Sequence, residues 1–253
     1  MSLRINVLLS LVVAIVFLFP VESRSQVVSV ALLGDSNTWI GGEKCDNDRG
    51  WSTWFRKDLS PEYCRSFARS GATWTHTSST KINESEYTEV ISDDNVVSNQ
   101  FQRLKSAVSA GEFPIPELII VSAGTNDVWF SDRRPDALKR GVPEDRNLTL
   151  GGAVRDFCED VKASFPKTEI IFLTPMFTTK TSDTDIRLAG DLIETAAKEC
   201  GAYVIRLDST GCIDPGVEKK HFTYTEDGVH TSRAGARRVG LKVASEVRAK
   251  FKF

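Results

Sequence analysis

Three residue types in this chain could carry out acyl transfer: a serine nucleophile, a histidine base and a carboxylate to orient the base. Ser36 stands in Gly34-Asp35-Ser36-Asn37, and His230 closes Asp227-Gly228-Val229-His230. A serine hydroxyl is a weak nucleophile until a nearby base takes its proton. His230 can be that base and can return the proton to a leaving alcohol. Asp227 lies three residues before His230, across a turn that Gly228 permits, so its carboxylate can reach the imidazole Nδ1. The oxyanion that forms on attack needs hydrogen-bond donors aimed at it. The backbone N–H groups of Ser36 and Gly71 and the side-chain amide of Asn126 supply three. Asp35 and Asp127 read as hydrogen-bonding residues of their turns, with no catalytic part.

These residues are far apart in sequence, so the fold has to bring them together. Ser36 follows the short apolar run 27–33, which is rich in β-branched residues, bounded by glycine and reads as a buried strand. Further strands are expected at 63–69, 117–122, 169–174 and 202–207. Helices are expected at 50–59, 96–110, 152–165, 183–200 and 231–251, the last capped by Thr231 or Ser232. Residues 75–95 read as a polar surface insertion, 128–150 as a mobile loop with one helical turn, and 208–227 as a loop. Strands alternating with helices point to an α/β fold, a three-layer α/β/α sandwich around a five-stranded parallel sheet. Right-handed crossovers put the carboxyl ends of all its strands on one edge. Ser36, Gly71 and Asn126 each follow one of the first three strands, so that edge collects them.

Residues 1–25 read as a cleavable signal peptide: Arg4, an apolar stretch from Val7 to Phe19, then Pro20 and the small residues Ser23 and Ser25. The apolar stretch falls short of the ~20 residues a membrane span needs. The expectation is a secreted or periplasmic protein with no stable membrane insertion after signal removal, its residues 26–253 forming one domain. With 32 basic and 34 acidic residues there is no field suited to nucleic acid. Neither the five cysteines nor the three histidines have metal-ligand spacing, so no metal and no cofactor are expected. Cys45–Cys64 and Cys200–Cys212 are the locally plausible disulfides in an exported chain, with Cys158 as a buried thiol.

Taken together, the motifs resemble the four sequence blocks of the SGNH hydrolase superfamily, the GDSL esterases and lipases. Gly34-Asp35-Ser36 matches the first, Ser70-Gly71-Ala72-Thr73 the second, Gly124-Thr125-Asn126-Asp127 the third and Asp227-Gly228-Val229-His230 the last. The resemblance implies a flavodoxin-like fold, Ser36, Asp227 and His230 as catalytic residues, and Ser36, Gly71 and Asn126 as the oxyanion hole. Two positions depart from the pattern. Asn37 stands where leucine usually follows the serine, and its side chain is available for a hydrogen bond within the site or to substrate. Ser66 stands where an asparagine often precedes the second-block glycine.

Trp39, Trp74 and Trp129 fall at the same offset after Ser36, Gly71 and Asn126, so the active edge can present aromatic faces. With Asn37 they are the substrate-contact candidates. Export, aromatic walls and the absence of a long exposed apolar stretch favour a small acyl group on an acetylated carbohydrate. The resemblance implies the same, since carbohydrate O-deacetylation is common among secreted members. A lysophospholipase, lipase or thioesterase is the second expectation, and a non-catalytic glycan-binding protein the third.

Overall fold

The computed structural model describes residues 29–84, 92–141, 146–208 and 211–251. The expected signal peptide and the first two residues of the first apolar run lie outside them. Five strands form one parallel sheet: β1 (Ser29–Gly34), β2 (Tyr63–Ser66), β3 (Leu118–Ser122), β4 (Glu169–Leu173) and β5 (Tyr203–Ile205), in the order β2-β1-β3-β4-β5. β1 and β3 are buried along their whole length. Central strands covered on both faces lose the polar alternation of a half-exposed strand and read as continuous apolar runs.

The pleat sorts those runs into two cores. Ala31, Leu33, Ile119, Val121, Ile170 and Phe172 pack with helices α3 (Val97–Ser109), α5 (Leu150–Ser164) and α6 (Asp183–Glu199). Val30, Leu32, Leu118, Ile120, Ile171 and Leu173 pack on the other face with α2 (Trp51–Leu59) and α8 (Arg233–Lys250). This is the three-layer α/β/α sandwich with a five-stranded parallel sheet expected from the sequence.

Three short helices complete the described residues' α-helical structure, and two of them sit at the active edge. α1 (Ser36–Trp39) and α4 (Thr125–Trp129) begin directly after β1 and β3, where a plain turn and a loop were expected. α7 (Pro215–Glu218) interrupts the expected 208–227 loop, with Asp214 capping it and Pro215 at its first position. Two 3₁₀ turns lie at Ser131–Arg133 and Arg146–Leu148. Ser232, not Thr231, caps α8, its hydroxyl accepting from the Gly235 N–H.

The cysteines need one correction. Cys200 and Cys212 do not meet, because the sheet lies between them: Cys212 packs with the α2/α8 layer and Cys200 with the α5/α6 layer. Cys200 lies instead against buried Cys158 of α5, whose thiol pKa is pushed up by burial first and by Cys200 second. Cys45 and Cys64 do face each other, as free thiols with sulfurs 3.8 Å apart.

Candidate active site

β1 delivers the serine to the rim of the sheet, and the turn after it is held from several sides. Gly34 pairs in register with Ser122 and has φ +149°; a Cβ there would collide with the Ser122 carbonyl oxygen. Gln100 of α3 grips both backbone groups of Gly34, accepting from its N–H at 2.7 Å and donating to its carbonyl at 2.9 Å. The Asp35 carboxylate then accepts the Asn37 N–H at 3.1 Å and caps α1. Trp51 of α2 donates to the Thr38 hydroxyl at 3.0 Å, tying the new helix to the layer beneath. Ser36 is therefore the first residue of a rigid helical turn at the switch point between β1 and β3.

The base arrives on the loop before α8. One oxygen of Asp227 accepts the backbone N–H groups of Val229 at 2.9 Å and His230 at 2.8 Å. Its other oxygen lies 2.7 Å from His230 Nδ1, and His230 Nε2 lies 3.0 Å from Ser36 Oγ. Burial works to raise the Asp227 pKa. The hydrogen bonds from the His230 ring and from the two backbone amides outweigh it, and the carboxyl sits below its ordinary value. An ionised Asp227 accepts a hydrogen bond from Nδ1–H, which keeps the proton on Nδ1 and leaves Nε2 as the acceptor for the Ser36 hydroxyl. The buried Glu218 carboxylate organises the approach to this loop, accepting from Thr225 Oγ1 and from the amides of Thr223, Tyr224 and Thr225.

The other two expected donors follow β2 and β3 in the chain. Gly71 has φ +74°, a conformation in which glycine is unstrained, and its N–H has no acceptor among the described residues. Asn126 is buried in α4 and donates one amide hydrogen to the Ala72 carbonyl at 2.9 Å. That bond sets the amide beside Gly71 and leaves its second hydrogen for another acceptor. Asp127 organises the second-block loop, accepting from the Trp74 and Thr75 amides and from Thr75 Oγ1.

A cavity of about 220 Å³ opens at the serine, lined by Ser36, Trp39, Ile40, Arg49, Ser70, Glu226, Asp227 and His230. Arg49 and Glu226 are ion-paired at its wall. Of the four expected substrate contacts, only Trp39 lines it, with its side of α1 exposed. Trp74 is a core residue, edge-on to Phe157 and Phe172 and donating to the Ala123 carbonyl, so it has no face to offer a ligand. Trp129 is exposed but stacks on Phe130 away from this lining. Asn37 is buried, and both ends of its amide are taken by the backbone: Nδ2 donates to the Val229 carbonyl at 3.3 Å and Oδ1 accepts the Thr231 N–H at 3.0 Å.

Asp35 gives the site a stability that depends on pH. Burial raises its pKa from 3.8 to about 7, against the pull of the Asn37 N–H and of His230. The folded state then holds a proton that the unfolded chain has lost, so stability falls as pH rises from about 4 to 7. Asp35→Asn keeps a good capping side chain and removes the charge. The variant is expected to be more stable than the wild type at pH 8, by on the order of 3 kcal/mol, and to match it below pH 4. Calorimetric scans at the two pH values check this; a difference independent of pH would mean that the buried charge is not its cause.

The comparisons with known proteins follow this geometry. The model of the GDSL-like lipase/acylhydrolase family matches residues 32–238. Among solved structures, a protein from Lactobacillus plantarum aligns with TM-score 0.63 at 17% identity, over 90% of this chain and 99% of its own. The acetyl xylan esterase AlAXEase aligns with TM-score 0.59 at 17% identity, over 87% of this chain and 100% of its own. A lipase/acylhydrolase from Enterococcus faecalis aligns with TM-score 0.54 at 16% identity, over 88% and 97%. No curated protein matches the sequence.

Proposed function

The chain belongs to the GDSL-like lipase/acylhydrolase family, a family of ester hydrolases, and on that premise we propose that it is an exported serine esterase removing small acyl groups, acetyl above all, from carbohydrate. The observation that carries the mechanism is the unbroken relay from Asp227 Oδ2 through the His230 ring to Ser36 Oγ, with links of 2.7 and 3.0 Å. Ser36 Oγ attacks the ester carbonyl carbon as its proton passes to His230 Nε2. The charge gathering on the carbonyl oxygen is met by the N–H groups of Ser36 and Gly71 and by the free hydrogen of the Asn126 amide. The imidazolium, steadied by Asp227, gives its proton to the leaving sugar oxygen, and the acyl group stays on Ser36. Water then attacks the acyl-enzyme and loses a proton to His230, which returns it to Ser36 Oγ as the acyl–oxygen bond breaks and the acid leaves.

The cavity supports a small acyl group. About 220 Å³ lined by Trp39, Ile40, Ser70 and the Arg49–Glu226 ion pair suits an acetyl group better than a fatty tail. The exposed Trp39 ring beside it suits a sugar face, whose C–H groups pack on the indole while its hydroxyls stay wet. The same fold serves an acetyl xylan esterase. A signal peptide over residues 1–25 belongs to the same reading, since such polymers lie outside cells. Acetate released from a panel of acetylated glycans, together with p-nitrophenyl acetate and octanoate, tests this proposal. We expect kcat/KM for the acetyl ester to exceed that for the octanoyl ester by about 10–10²-fold. A preference for octanoate would move the protein to the lipases or thioesterases.

A further inference from the structure

Asn37 occupies the position after the nucleophile, and neither end of its side chain reaches the cavity. Its Nδ2 donates to the carbonyl of residue 229 and its Oδ1 accepts the N–H of residue 231. These two backbone groups bracket His230. The residue next to the nucleophile therefore holds the chain on both sides of the base, although the two segments lie 192 and 194 positions apart. Asn37 is itself fixed: it lies in the first turn of α1, its N–H is held by Asp35, and it is 3% exposed.

We propose that Asn37 is the positioning residue for His230, a two-point clamp that sets the imidazole at hydrogen-bond distance from Ser36 Oγ. Asp227 fixes the internal shape of the His230 turn, through the amides of 229 and 230 and through Nδ1. None of those bonds ties the turn to the strand that carries the serine. The direct bonds from α1 to that turn are the Ser36–His230 contact, whose length matters for proton transfer, and the two from Asn37. Thr231 adds a hold further off, donating its hydroxyl to the Arg49 carbonyl. A carboxamide suits the task because it presents one donor and one acceptor on a planar group. Leucine, the usual residue here among the proteins this sequence resembles, fills the space and makes neither bond.

The inference rests on the serine mechanism proposed above, and a fluorophosphonate probe separates the two. The probe reacts once with an activated serine, so its extent counts competent sites and its rate reports how well the base serves the nucleophile. The full-length wild type, Asn37→Leu and Asn37→Asp are compared. Asn37→Asp is nearly isosteric, keeps the acceptor for the Thr231 N–H and sets a carboxylate oxygen in place of the donor to Val229, so it covers the case in which the leucine variant fails to fold. Asn37→Leu should lower kcat on p-nitrophenyl acetate and the labelling rate in parallel by about 10–10²-fold, the scale of a misplacement near 1 Å. KM should stay within about twofold and labelling should still reach one equivalent, with Asn37→Asp intermediate in rate. Unchanged rates in both variants overturn the clamp. So does a loss of kcat matched by a loss of labelled sites at an unchanged rate, which marks a residue needed only for folding. Failure of the wild type to label at all overturns the serine mechanism instead.

Discussion

Replacing Ser36 by alanine is expected to lower kcat on p-nitrophenyl acetate by about 10⁴-fold or more, with the melting temperature close to that of the wild type. The size follows from what is lost. Without the hydroxyl no acyl-enzyme forms, and water must attack the ester directly with only the oxyanion donors and His230 in place. The fold should tolerate the change, because the Ser36 hydroxyl bonds only His230 among the described residues, while Asp35 holds the Asn37 N–H, Gln100 the Gly34 backbone and Trp51 the Thr38 hydroxyl. Steady-state kinetics with a calorimetric scan on the same sample check it. An alanine variant retaining more than a tenth of the wild-type rate would remove Ser36 from the chemistry.

The second large effect is expected at Asn126. Asn126→Ala should reduce kcat by about 10²–10³-fold and leave KM within a few-fold, since its donor is strongest when the oxygen is fully charged. The change also frees the Ala72 carbonyl, so part of the loss comes from a second-block loop that no longer has its tie. Asn126→Asp keeps the shape, removes both hydrogens and sets a carboxylate where the oxyanion forms. Its kcat should be at least as low as that of the alanine variant. A raised KM with kcat unchanged in Asn126→Ala would show that the residue binds the ground state as much as the transition state.

The sheet and the residues that meet at its rim were legible in the sequence because each leaves a short local signal. A buried parallel strand is an apolar run, and the four active-edge turns need particular small or polar residues at their tips, as Gly34 shows by its contact with Ser122. What could not be read is what depends on partners far along the chain. Nothing in Gln100 or Glu218 marks them as the side chains that grip Gly34 and the 223–225 segment. Trp74 and Trp129 share the offset of Trp39 from their motifs, yet only tertiary packing sends one into the core and stacks another on Phe130. Asn37 was legible as a polar residue beside the serine. Its reach to the backbone of Val229 and Thr231 required knowing that the last loop folds back over α1. The Cys200–Cys212 pairing rested on nearness in sequence, and the sheet between them sets it aside.

The covalent intermediate is the most direct test of the account. The protein is mixed with excess p-nitrophenyl acetate, quenched in acid within the first turnovers, digested and read by mass spectrometry. The account predicts one acetyl group on the peptide that carries Ser36, and none on that peptide from Ser36→Ala. Acetate release at the full rate with the Ser36 peptide unmodified at every quench time, or the acetyl group on another residue that turns over at the catalytic rate, would contradict it.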